Sequence, residues 1–353
     1  MLGCVEITPN GRAPEHQNAG RMAEVMVGVH SEATARARLP GETVHVRKSK
    51  AARTSHVRVW VVALLAVAMI VSLADRSSFA SGTAYDWLQF DGNAQHSGNN
   101  TLETTIGTAN VVNLTRLFAV SLPATADGAP AYLSGVTTAN GTQDLVFLTT
   151  KDGRILALDA HTGASVWSHQ YGPGTCTINL GSSPCYTTSS PAIDPNRQFV
   201  YSYGLDGFVH KYAVGTGVES TGGGWPEEVT TKGYNEKGSS ALAIASPTGT
   251  AGYLYVASAG YPGDNGDYQG HVTTINLGSG AQHVFNTLCS SQVDVHFVEK
   301  PGTPDCGSVQ SAVWARPAVI YDATLDKIFA VTGNGTYAPS SFDWGDTILA
   351  LNQ

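Results

Sequence analysis

Four of the five cysteines in this 353-residue chain fall as two close pairs, Cys176/Cys185 and Cys289/Cys306, and their spacing separates redox chemistry from metal chemistry. Zinc sites place paired ligands roughly two to four residues apart. The spacings here, C-x8-C and C-x16-C, do not fit that rule. An even count in Gly/Ser/Pro-containing stretches fits disulfides instead. Three pairings are open to four cysteines; local pairing is the expectation, each short loop contributing ~3 kcal/mol in the chain-entropy model. Other reactive types are scattered. His296 stands near Asp294, an acid/base pair by type, but no nucleophile motif accompanies it. Gly222-Gly223-Gly224 lacks the Lys-Ser/Thr ending of a phosphate loop. Asp264 and Asp267 flank Gly266 in a run whose residue types favour a solvated turn. Asn334 lies between two glycines, as a left-handed turn residue does. Trp314 reads by itself as a packing aromatic.

The elements that carry these residues repeat. DLVFLTTKDGRILALDAHTGASVW (144–167) is an alternating apolar run, a glycine turn, a second run and a Thr-Gly turn. Looser copies occupy 198–217, 252–280 and 327–352. The equivalent glycines Gly153, Gly207, Gly270 and Gly345 are 54, 63 and 75 residues apart, so insertions grow along the chain. A β-turn-β unit cannot bury its own apolar face, and neighbours must stack on it. Four-stranded groups in series are propeller blades.

Charge and hydropathy divide the chain. Residues 1–58 hold nine Lys/Arg and five Asp/Glu; from Ser81 onward there are ten Lys/Arg and 22 Asp/Glu. An acidic main domain argues against nucleic acid, whose phosphates need basic clusters. VWVVALLAVAMIVSL (59–73) follows Arg47, Lys48, Lys50, Arg53 and Arg58 and precedes Ser78-Phe79-Ala80. Its length suits a signal-peptide core better than a membrane span of roughly 20 residues. The expected organisation is a disordered basic tail over 1–56, a signal peptide or membrane-anchor helix over 57–80, and a β domain over 81–353. Export, to an anchored, periplasmic or extracellular location, agrees with the paired cysteines.

GRILALDAHTGASVW (153–167) resembles the repeat of pyrroloquinoline quinone (PQQ) enzymes and their propeller relatives, and WLQFDGNAQHSGNN (87–100) resembles the opening of those domains. The resemblance covers roughly 85–353. It implies an all-β propeller of four-stranded blades, about four of them, forming an incomplete ring that stops in the fourth blade. LFAVSL (117–122) resembles the outer strand that closes a full ring. The segment 313–352 is similar to one in quinoprotein alcohol dehydrogenases, where a Trp forms the floor under the quinone and a Gly-Asn dipeptide supplies a calcium ligand. By that resemblance Trp314 is the floor and Asn334 the calcium ligand. Asp264 or Asp267 takes the metal-ligand place where the family has a Glu. The family's vicinal Cys-Cys clamp is absent, and its catalytic Asp belongs to a region not represented in this sequence, so no catalytic residue is assigned. The resemblance implies PQQ and calcium as cofactors and alcohol or sugar oxidation as the activity. The alternative is a non-catalytic propeller scaffold in the cell envelope, with a protein partner or a second half-propeller.

Overall fold

The computed structural model describes residues 85–172, 184–246, 252–262, 264, 266–317 and 319–352. The basic tail and the apolar run expected as signal or anchor lie outside these residues. Among the described residues no helix is long and apolar enough to cross a membrane. The chain divides into two compact units. The described part of the smaller consists of Tyr85 and 101–115. Here Glu103 Oε1 accepts the backbone N–H of Ile106 at 2.9 Å, and Asn110 Oδ1 accepts that of Gly107 at 2.7 Å.

The larger unit is built from sheets. The first holds β1 (Ala131–Thr138), β2 (Gly141–Thr149), β3 (Arg154–Asp159) and β4 (Ser165–Gln170), antiparallel and in chain order. The second repeats the order with β5 (Ala192–Ile193), β6 (Phe199–Tyr203), β7 (Phe208–Ala213) and β8 (Glu227–Glu228). In the third, β9 (Glu236–Gly238) and β10 (Ala243–Ala245) both pair with β11 (Tyr253–Gly260), followed by β12 (His271–Asn276) and β13 (Gln282–Asn286). The fourth joins β14 (Ile320–Asp322) to β15 (Lys327–Val331). It is interrupted by a hairpin of β16 (Tyr337–Ala338) and β17 (Asp343–Trp344), then completed by β18 (Ile348–Leu351).

Strand alternation explains the stacking, because successive side chains leave opposite faces. On β2, Leu145 and Phe147 enter the core shared with Ile193, Val200 and Tyr212 of the second sheet, while Val146 and Leu148 enter another. Tyr201 and Val209 of the second sheet meet Leu254 and Ile275 of the third, and Tyr255 and Val272 of the third meet Tyr321 and Ile328 of the fourth. Trp167, which ends the clearest repeat, is buried and donates its indole N–H to the Val214 carbonyl at 2.8 Å, tying the first sheet to the second repeat. Fully burying one such aromatic or aliphatic side chain contributes roughly 1.5–3 kcal/mol. The sheets thus stack as propeller blades do, although no closed ring is found among the described residues.

The opening segment binds all four sheets. Trp87 bridges Tyr132 of β1, Leu88 accepts the N–H of Ile193, and Gln89 pairs through its side chain with Ile244 of β10. Ala94 accepts the N–H of Tyr321 on β14. The segment 311–321 forms a strand only at its end, because Val313 N–H bonds back to Ser258 and Ala312 accepts the N–H of Gly333, so this backbone joins two sheets. The segment 117–122 pairs with no strand among the described residues; Val120 and Leu122 pack against Val146, Leu148, Leu156 and Leu158 instead. On the fourth sheet Val331 is 52% and Ile348 76% exposed among the described residues.

Candidate functional site

Asp264 sits in the turn before β12 with its backbone in the left-handed region (φ 51°). Its carboxylate is held from two sides. The buried Tyr268 donates its hydroxyl to Oδ1 at 3.0 Å, and Asn334 Nδ2 donates to Oδ2 at 3.2 Å. Burial first, then the hydrogen bond to Asp264 and its charge, push the Tyr268 hydroxyl well above its ordinary pKa, which keeps it a donor.

The partners are aimed by the backbone between the third and fourth sheets, where Gln310 bridges Gln269 of the turn before β12. Ser311 N–H donates to the Asn334 carbonyl at 2.8 Å, and Gln310 Nε2 donates to the Asp264 carbonyl at 3.2 Å. Gln310 and Ser311 take φ of 87° and 55°, conformations that cost side-chain-bearing residues ~1–3 kcal/mol each. Close approach fixes them there: a Cβ on Gly270 would lie 2.0 Å from the Ser311 carbonyl oxygen. Gly333, adjacent to Asn334, leaves room for the Trp314 indole; a Cβ there would come 2.7 Å from its Nε1. Trp314 itself is 62% exposed.

Of the four residues expected to hold cofactor or metal, Asp264 and Asn334 meet, and the Trp314 indole lies against Gly333, the neighbour of Asn334. Asp267 is engaged elsewhere. Its Oδ1 accepts from Gln269 Nε2 at 3.2 Å and faces Lys300 Nζ at 3.4 Å, while its Oδ2 is buried with no hydrogen-bond partner among the described residues. Beneath this turn the buried Lys232 pairs with Glu236 Oε1 at 3.1 Å, which also accepts the N–H of Gln269 at 3.0 Å. Burial and the Asp267 charge raise the Glu299 carboxyl above its ordinary range.

Chemically, Asp264 and Asn334 offer two oxygens to a hard cation once the Asn334 amide turns its Oδ1 inward. Calcium takes roughly six to eight oxygens, so these side chains would be part of its shell. An exposed indole beside them suits a planar ring. The donor chemistry thus fits calcium and a quinone in part.

Cys289 and Cys306 form the expected local disulfide. Their sulfurs lie with Asp343 in the only cluster of three metal-ligand types among the described residues. Bonded to each other, they offer no thiolate, and Asp343 accepts from the Cys289 N–H at 2.8 Å and the Ser308 hydroxyl at 3.0 Å. Cys185 is buried and disulfide-bonded; Cys176 lies outside the described residues. His296 and Asp294 are not partners: Asp294 faces His283 at 3.2 Å, and His296 Nε2 lies 3.1 Å from Gln282 Oε1. Tyr268, Gln310 and Ser311 were not legible as site residues, since nothing in their types or spacing marks them.

No known protein-family profile matches the sequence. No curated protein matches it either. Solved structures do. A quinohemoprotein alcohol dehydrogenase from Pseudomonas putida HK5 superposes with a TM-score of 0.51 at 14% identity, over 76% of this chain and 40% of its own. The quinohemoprotein alcohol dehydrogenase of Comamonas testosteroni gives 0.52 at 17% identity, over 78% and 40%. A europium-containing methanol dehydrogenase gives 0.50 at 18%, over 76% and 46%. The likeness shows a quinoprotein-type propeller fold, and the chain spans less than half the length of each of these structures.

Proposed function

We propose that this chain is a quinoprotein-like propeller that holds PQQ on Trp314 and calcium at Asp264 and Asn334, as part of an alcohol- or sugar-oxidising dehydrogenase. The observation that carries this reading is the meeting of Asp264 and Asn334, 70 residues apart, with the exposed Trp314 indole against Gly333, the neighbour of Asn334. When bound, the quinone supplies a hydride-accepting carbonyl polarised by the metal. The chain's own residues have distinct tasks. Trp314 offers the stacking face. Asp264 ligates through Oδ2, the oxygen that Asn334 now occupies, while Tyr268 holds Oδ1 and so fixes the carboxylate plane. Asn334 turns its amide oxygen to the cation. No group here is assigned to take the substrate hydroxyl proton. In the same reading the chain is exported or membrane-anchored, supported by the apolar run 59–73 after its basic flank and by the Cys289–Cys306 disulfide.

The test is retention of quinone absorbance by the full chain after gel filtration with PQQ and calcium, followed by dye reduction with alcohols. Wild type should retain it, and Trp314→Ala and Asp264→Ala should not. Wild type emerging colourless would end this reading. The second reading, a non-catalytic scaffold in the cell envelope, predicts no retained quinone and a protein partner recovered from the envelope fraction.

A further inference from the structure

Two lysines are buried among these sheets, and they are housed differently. Lys232 has Glu236 at 3.1 Å. Lys237, on β9 and only 6% exposed, donates to Ser239 Oγ, and among the described residues no carboxylate comes within ion-pair distance of its ammonium. Other cations gather round it. The ammonium groups of Lys151 and Lys237 lie 5.3 and 5.2 Å from the centre of the same Tyr186 ring. Arg316 pairs with Asp127, which Lys151 also faces at 3.5 Å. Burial, then the charge of Arg316, with a smaller push from Lys151, bring the Lys237 pKa down to about 8 against the pull of Asp127.

The arrangement is costly as it stands. From Ser81 onward the chain has ten Lys/Arg against 22 Asp/Glu, yet three of the ten cations converge where one carboxylate faces them. A buried charge left without a counter-ion costs several kcal/mol, and natural structures pair such charges. Three separate parts of the chain bring these residues together: the turn between β2 and β3, β9, and the loop before β14.

We infer that Lys151, Lys237 and Arg316 form a binding site for a small oxyanion of the carboxylate or phosphate class. Lys237 supplies the buried charge, with ammonium donors beyond the one given to Ser239. Lys151 and Arg316, with side chains 41% and 46% exposed, open the site to solvent and close on the anion from outside. Asp127 holds both in place and competes with the ligand. The inference does not rest on the function proposed above, and its test uses neither quinone nor calcium.

The test is titration calorimetry of the full chain, free of PQQ and calcium, with citrate and separately with inorganic phosphate. We expect binding that weakens with added salt, about tenfold or more loss in Lys237→Gln and in Arg316→Gln, and tighter binding in Asp127→Asn. Preference for citrate identifies an organic acid as the source, and preference for phosphate the inorganic ion. Absence of heat with both probes in folded wild type would overturn the inference. So would unchanged affinity in Lys237→Gln, or weaker binding in Asp127→Asn with native near-ultraviolet dichroism.

Discussion

Replacing Lys237 by methionine should stabilise the fold, and the gain should depend on pH. Methionine keeps an unbranched apolar stem of similar reach and removes the buried ammonium. The folded pKa of Lys237 is about 8 against 10.5 for an ordinary lysine. The unfolded chain therefore binds more protons between those values, and wild-type stability rises with pH across that window. Below pH 8 the penalty is full. At 1.36 kcal/mol per pH unit it amounts to ~3 kcal/mol, and it vanishes above pH 10.5. Urea unfolding of both proteins in an anion-poor buffer should show Lys237→Met more stable by ~3 kcal/mol at pH 7, with the difference shrinking toward zero near pH 10. Citrate at neutral pH should narrow the gap by stabilising wild type alone. A variant less stable than wild type by the same amount at both pH values would refute the reasoning. The side chain would then matter for packing, not for an uncompensated charge.

Other outcomes follow from the same structure. Phe147→Ala, in the interface between the first and second sheets, should cost ~3–5 kcal/mol in denaturant unfolding. Ile348→Lys, at an exposed position of the fourth sheet, should change stability by less than about 0.5 kcal/mol while lowering any tendency to self-associate. Burial first, then the neighbouring His271 charge, hold the His296 pKa down at about 3. The unfolded histidine takes up a proton near 6.5, so wild-type stability should fall as pH drops from 6.5 toward 3, and His296→Gln should flatten that slope in acid unfolding.

Much of the fold was written in local pattern. The alternation in 144–167 fixes two strands and a glycine turn, because a period of two leaves only one way to bury Leu145 and Phe147 on one side and Val146 and Leu148 on the other. The local Cys289–Cys306 disulfide is the expected one of the three pairings that four cysteines allow. The site was legible only in part. Trp314, Asn334 and Asp264 could be picked out by resemblance, but Asp264 and Asp267 could not be told apart. Their types are identical, and only the meeting of Asn334 with one carboxylate and of Lys300 with the other distinguishes them.

By itself, then, the sequence determined the strands of the clearest repeats and that their faces must be covered by neighbours. Those are consequences of side-chain period and burial, which act over a few residues. Only the tertiary structure decided that the 311–313 backbone positions Asn334, that 117–122 packs against the first sheet with no strand partner among the described residues, and that Lys151, Lys237 and Arg316 converge around Tyr186 and Asp127. Electrostatic and steric contacts between residues tens to hundreds of positions apart depend on how sheets stack, and no local pattern encodes that distance.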